Sequence, residues 1–110
     1  MKKIILLLVI PFILCACSNS KNDYKTLMDE NDYAIIDVRT KAEYDESHIV
    51  DAINIPYDEI DKNIEIDKGK LIFVYCKSGG RSKIAYNNLK NLGYEVYDLG
   101  AFSEIDMPKE

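Results

Sequence analysis

One stretch of the 110-residue chain gathers residue types able to do chemistry: Cys76, Lys77, Ser78, Gly79, Gly80, Arg81 and Ser82, directly after the apolar run Leu71 to Tyr75. A cysteine at the end of a strand, followed by two glycines and a helix start, is placed to act as a nucleophile. The glycines let the backbone turn tightly, so successive N–H groups converge on one point. The first turn of a helix adds its unpaired N–H groups and the positive end of its dipole. Lys77 and Arg81 bring full positive charges, with Lys83 close by. A free thiol has a pKa of about 8.5, and helix N-termini and nearby cations bring it to roughly 3.5–7.5. The same nest would hold an anion against the sulfur. The competing reading is a buried cysteine at a strand end ahead of an ordinary turn.

Little else in the chain looks chemical. Asp37 and Arg39 read as polar groups bracing a strand end and the helix after it, with Arg39 set against Glu43, or as members of the site. His48 is the sole histidine, open to a structural or a catalytic role; nothing resembles a Cys–His dyad, so activation of Cys76 falls to the loop and helix. No His, Cys or Asp cluster has metal-ligand spacing, and no cofactor is implied. The eight tyrosines are scattered and read as packing or solvent-facing groups rather than a stacking platform.

The elements that must position the loop follow from pattern. Tyr24 to Asn31 carries Leu27, Met28 and Asn31 at helical spacing. Tyr33 to Val38 is a short apolar, β-branched run and predicts a buried strand. Thr40 and Glu43 form a capping-box signature for a helix to about Glu46. Ala52 to Ile55 is a brief strand stopped by Pro56, and Tyr57 to Ile64 a weak helix. Asp67 to Lys70 is a turn. Leu71 to Tyr75 is apolar throughout, as a central strand covered on both faces would be. Ser82 is placed to cap a helix running to Leu92, with Ile84, Ala85, Asn88, Leu89 and Leu92 on one stripe and Gly93 as its stop. Tyr94 to Leu99 is a further strand, and Phe102 to Ile105 a last turn of helix. Alternating strands and helices predict an α/β domain with a mostly parallel central sheet flanked by helices, and ligands beyond the carboxyl ends of its strands.

The N-terminal residues bear on location. Met1-Lys2-Lys3 precedes the apolar run Ile4 to Leu14, too short for the ~20 apolar residues of a membrane span and of export-signal form. Leu14-Cys15-Ala16-Cys17 resembles the lipobox of bacterial lipoproteins: Cys17 has small Ala16 before it and aliphatic Leu14 three positions back, whereas Cys15 follows bulky Leu14. The expectation is a signal peptide over 1–16, lipidation at Cys17, a tether over 17–23 and one domain over 24–110. Thioether-linked acyl chains plus an N-acyl group such as palmitate would supply the two or more chains that stable anchoring needs. The domain would then sit outside the cytoplasm, on the membrane.

The net charge is −5, and removal of Lys2 and Lys3 takes it to −7. An acidic surface argues against nucleic acid as a partner, which would need a basic patch. The 94 residues from Cys17 onward suffice for one core, burying roughly 60–68% of the unfolded surface. With Cys17 lipidated, Cys76 is left unpaired, which in an oxidising compartment marks a reactive thiol.

The segment Val74 to Ser82 (VYCKSGGRS) resembles the active-site loop of single-domain rhodaneses, often Cys-Arg-Ser-Gly-x-Arg-Ser. Ile35 to Ile60 is similar to that family's upstream Asp-Val-Arg, Glu-Tyr, His-Ile and Ala-x-Asn-Ile-Pro elements, and Asp98 to Phe102 to its closing Leu-x-Gly-Gly segment. The resemblance runs from about residue 24 to 108. It implies a five-stranded parallel α/β fold, Cys76 as nucleophile and persulfide carrier, and Lys77 to Ser82 as the substrate-binding loop, with Arg81 closing it. The implied partners are a small sulfur-containing anion such as thiosulfate or another persulfide donor, and a thiol or cyanide-like acceptor. The chain departs from the pattern at Ser47 (Gly in the family), Val50-Asp51 (Pro-Gly), Ala101 (Gly) and Ile105 (commonly Trp). The usual first strand would fall on Ser18 to Asp23, which is not strand-like.

Three other activities compete. A thiolate phosphatase or arsenate reductase of the same fold needs five residues between Cys and Arg, and this chain has four, Lys77 to Gly80. A persulfide-carrying or sensing module would share the loop and lack fast turnover. An exposed thiol of low pKa also oxidises easily, although no second cysteine beyond the lipidation site remains to resolve it.

Overall fold

The computed structural model describes residues 20–110. The expected signal peptide, Cys15, Cys17 and the first part of the tether lie outside the described residues. These residues fall into two units, one ending at Asn31 and the other running from Asp32 to Glu110. In the first, helix α1 spans Ser20–Glu30, so it begins four residues ahead of the expected Tyr24, inside the stretch read as a tether. Asn31 closes it, its Nδ2 donating to Leu27 O at 3.0 Å.

The second unit is built on four parallel strands: β1 (Tyr33–Asp37), β2 (Ile53–Asn54), β3 (Leu71–Cys76) and β4 (Glu95–Ala101), in the order β2-β1-β3-β4. Among the described residues the sheet has four strands rather than the implied five, because the segment where the first would fall is helical from Ser20. Two helices accompany the sheet, α2 (Lys41–Glu46) and α3 (Gly80–Asn91). The α/β expectation therefore holds, with a parallel sheet and flanking helices.

Every residue of β3 is buried, as its unbroken apolar sequence demands of a central strand. Alternation sorts its side chains to two faces. Ile72, Val74 and Cys76 join Ile36, Val38, Ala85, Leu89 and Val96 in one apolar cluster on the α3 side. Phe73 and Tyr75 point the other way into an aromatic layer, Phe73 stacked on Tyr97 at 5.3 Å and Tyr75 on Phe102 at 5.6 Å. Burial of such side chains stabilises the unit by ~1.5–3 kcal/mol each.

The local signals mostly operate as the residue types predict. Thr40 caps α2 with the full reciprocal box: Glu43 N donates to Thr40 Oγ1, and Thr40 N donates to Glu43 Oε1 at 2.9 Å. Gly93, at φ 101°, ends α3 in the left-handed conformation, with Gly93 N on Lys90 O and Tyr94 N on Leu89 O, a Schellman closure. Two expectations fail. The helix over Tyr57 to Ile64 is only a 3-10 turn, Tyr57–Glu59; Asp61 Oδ1 captures the amide of Asn63 at 2.8 Å, a side-chain turn that competes with helical pairing. Ile84 is 48% exposed rather than part of the α3 stripe, which is formed by Ser82, Ala85 and Leu89.

At the carboxyl end of the sheet β4 bulges against β3. Asp98 pairs with Val74 and Gly100 with Tyr75, which leaves Leu99 as the extra residue. Gly100 takes φ 87° and donates its amide to Asp98 Oδ1 at 2.9 Å. The bulge brings Ala101 beside Cys76, as bulges next to functional sites do when they redirect a strand.

Candidate active site

Cys76 is the last residue of β3, at the carboxyl edge of the sheet, and its side chain is 0% exposed. That corrects the expectation of an exposed thiol. The chain then turns at once: Gly79, at φ 103°, is the N-cap residue of α3, and the helix starts at Gly80. The expected cap, Ser82, lies three residues inside, and the reason is steric. A left-handed cap admits glycine without penalty, and placing it at Gly79 folds the first helical turn back over the sulfur.

The consequence is a donor aimed at one atom. Gly79 N stands 2.8 Å from Cys76 Sγ, and the nearby amides of Ser82 and Ser78 favour the charged form of the sulfur. Ser82 is buried, and its hydroxyl proton serves either Gly79 O, 3.1 Å away, or the sulfur itself. Burial alone would push the thiol up. The hydroxyl and main-chain amides of Ser82, with those of Gly79 and Ser78, outweigh it and hold Cys76 below its ordinary value, because hydrogen bonds to the charged form favour it. Lys77, Ser78 and Gly80 are exposed on the rim. A side chain built at Gly79 or Gly80 would meet nothing within 4 Å, so the mouth of the loop is open space.

Arg81 does not turn toward the sulfur. Its Nη1 and Nη2 donate to Glu43 Oε1 and Oε2 at 3.0 and 3.3 Å, the two side chains being 28% and 26% exposed. The ion pair ties the capping box of α2 to the start of α3 across 38 residues of sequence. Arg81 beside Glu43 holds that carboxyl down at about 2. Sequence reasoning had paired Glu43 with Arg39 instead. In a capping box the N3 carboxylate folds back to the N-cap, and here that leaves its outer edge facing Arg81.

Arg39 belongs to a separate buried network under the same sheet edge. Its Nε and Nη2 grip Asp37 Oδ1 and Oδ2 at 2.9 and 2.6 Å, Nη2 also reaches Ser47 O at 2.6 Å, and its guanidinium lies 4.3 Å over the Phe102 ring. Tyr75 Oη donates to Asp37 Oδ2 at 2.8 Å and accepts the amide of Ile49 at 3.0 Å. This is bracing, one of the two readings of Asp37 and Arg39, with Asp37 rather than Glu43 as the arginine's partner. His48 stacks on Tyr44 at 3.8 Å, and its Nδ1 donates to Tyr44 O at 2.8 Å, contacts that shape the loop after α2. Tyr75 was missed from sequence, since nothing in LIFVY distinguishes its hydroxyl from a fifth apolar group. Among the described residues no group of three or more His, Cys, Asp or Glu side chains could hold a metal ion.

The chain has relatives among known proteins. The sequence matches the family model for the rhodanese-like domain over residues 20–106. It is 38% identical over 78 residues to the thiosulfate sulfurtransferase PspE of Escherichia coli K12, covering 67% of this chain and 75% of that protein. The thiosulfate sulfurtransferase GlpE of Coxiella burnetii is 35% identical over 75 residues, 66% of this chain and 70% of that one. A probable molybdopterin-synthase adenylyltransferase of Porphyra purpurea is 40% identical over 67 residues, but the chain spans only 18% of its length. Among solved structures, an E. coli rhodanese with anions superposes with a TM-score of 0.65 at 36% identity, covering 71% of this chain and 96% of that one.

Proposed function

The chain belongs to the rhodanese-like family of sulfurtransferases, and from that membership we propose that Cys76 takes sulfane sulfur from an anionic donor such as thiosulfate and passes it, as a persulfide, to a thiophilic acceptor. In the first half-reaction the Cys76 thiolate attacks the outer sulfur of thiosulfate. A new S–S bond forms at Cys76, the S–S bond of the donor breaks, and sulfite leaves with the bonding pair. In the second, a thiolate or cyanide attacks the outer sulfur of the persulfide, and Cys76 departs as thiolate. A thiolate and a dianion enter; a persulfide anion and a dianion leave. Charge is negative at every stage, so fixed donors aimed at the sulfur stabilise each state without reorganising.

The observation that carries this reading is the Gly79 amide 2.8 Å from one buried sulfur at the start of α3, with Ser82 and Ser78 adding to the lowering of its pKa. A phosphatase reading has less support, since four residues rather than five separate Cys76 from Arg81 and the arginine fork is taken by Glu43. The burial of Cys76 favours a second reading in which the domain stores a persulfide and delivers it to a protein with slow turnover. Intact-mass measurement after thiosulfate treatment tests the common step: one added sulfur atom on the domain, absent in Cys76→Ser. No added sulfur on the unsubstituted protein would sink both readings, and fast thiosulfate:cyanide turnover would tell against the carrier.

The location is a proposal of the same kind. The Leu14-Cys15-Ala16-Cys17 pattern supports cleavage before Cys17 and lipid anchoring there, with the domain outside the cytoplasm. Cys17→Ser should shift the protein from the membrane fraction to the soluble one. Equal distribution of both forms would reject the anchor.

A further inference from the structure

Four charged side chains stand around the sulfur-accepting loop: Lys77 and Lys83, both exposed, and the pair Arg81–Glu43. Arg39 lies nearby, but Asp37 cancels its charge at 2.6 Å. Arg81 is the residue next to Ser82, which helps lower the pKa of Cys76, and its positive charge is felt by that sulfur. Yet both of its terminal nitrogens are committed to Glu43, whose Oε1 also accepts from Thr40 N and Oγ1 at 2.9 and 3.1 Å. Glu43 is therefore anchored on the α2 side and cannot follow Arg81 toward a ligand without breaking its own capping box. The pair presents net zero charge to whatever occupies the loop mouth.

We propose that Glu43 is a specificity-determining residue: by neutralising Arg81 it tunes the donor site toward singly charged sulfur anions and away from dianions. The proposal rests on the sulfurtransferase reading and refines its substrate class. A dianion feels the Glu43 charge twice as strongly as a monoanion. For one unit charge near the surface, under screening between that of water and half its dielectric, the difference amounts to about two- to six-fold in relative affinity. It must shrink as salt is added, because the pair is a quarter exposed.

The test compares two donors of the same sulfur chemistry and different charge, thiosulfate (dianion) and methanethiosulfonate (monoanion), with cyanide as acceptor at low ionic strength. Glu43→Gln keeps a side chain accepted at this capping-box position while removing the charge. The ratio KM(thiosulfate)/KM(methanethiosulfonate) should fall about two- to six-fold, and the fall should fade at high salt. Arg81→Gln, which leaves Glu43 uncompensated, should move the ratio the other way, and the double variant Glu43→Gln/Arg81→Gln should return it toward the wild-type value. If one variant fails to fold, the remaining variants still order by pair charge. Variants in which both KM values change by one factor, or kcat falls with the ratio fixed, would show a mere brace and overturn the proposal. Absence of transfer from either donor by the unsubstituted protein would instead sink the sulfurtransferase reading on which it stands.

Discussion

Tyr75 and Asp37 face each other across the β1–β3 pair, and the phenol donates to Asp37 Oδ2 at 2.8 Å while accepting the amide of Ile49 at 3.0 Å. Both residues are 0% exposed. One hydroxyl thus satisfies a buried carboxylate and a buried amide, and burial, with Asp37 beside it, raises the phenol far above its ordinary range. The bond also holds the loop after α2, through Ile49, to the strand that ends in Cys76.

Tyr75→Phe removes that hydroxyl and orphans the Ile49 amide in a dry site, at a cost of about 1–3 kcal/mol. Denaturant unfolding should show the loss, while sulfur loading of Cys76, on the opposite face of β3, is largely kept. A Tyr75→Phe protein as stable as the parent would mean that the network contributes nothing net.

Gly79→Ala isolates the role of the loop amides. An alanine Cβ would touch nothing, so the penalty is the left-handed backbone alone, roughly 1–2 kcal/mol, and relaxation pulls the Gly79 amide off the sulfur. Cys76 alkylation followed against pH should titrate below the ordinary thiol value in the parent and move upward in the variant. An unmoved titration would show that this amide does not hold the thiolate.

Glu43 supplies an acid-labile share of stability. Its folded value, about 2, lies below its ordinary 4.5, so its stabilisation is complete above the higher value and drains away as pH falls toward the lower one. Glu43→Gln should lose stability near neutrality and show a shallower decline between about pH 4.5 and 2 than the parent. Parallel acid limbs for the two proteins would contradict the assignment.

Asp51 occupies φ 73°, the one left-handed non-glycine among the described residues. Asp51→Gly should raise stability by about 0.5–1 kcal/mol, since the strain of a left-handed L-residue exceeds the entropy that glycine adds to the unfolded chain. A fall in the melting temperature would show that the aspartate side chain holds the turn.

Much of this was legible along the chain, because its causes are local. Alternation and β-branching mark β1 and β3, the Thr40–Glu43 spacing marks a capping box, Gly93 marks a helix end, and a cysteine followed by two glycines before a helix marks a nest of amides around Cys76. Each signal acts within a few residues, so one strand of text suffices to see it. What the text did not contain was partnership across long separations: Arg81 with Glu43, Tyr75 with Asp37 and Ile49, Arg39 with Asp37 in place of Glu43. A charge or hydroxyl in a sequence has many candidate partners, and only the packing of β1 beside β3, with α2 set against the start of α3, selects among them. The same holds for the cap of α3, where Ser82 had the better side chain and Gly79 the only backbone able to turn under the sulfur.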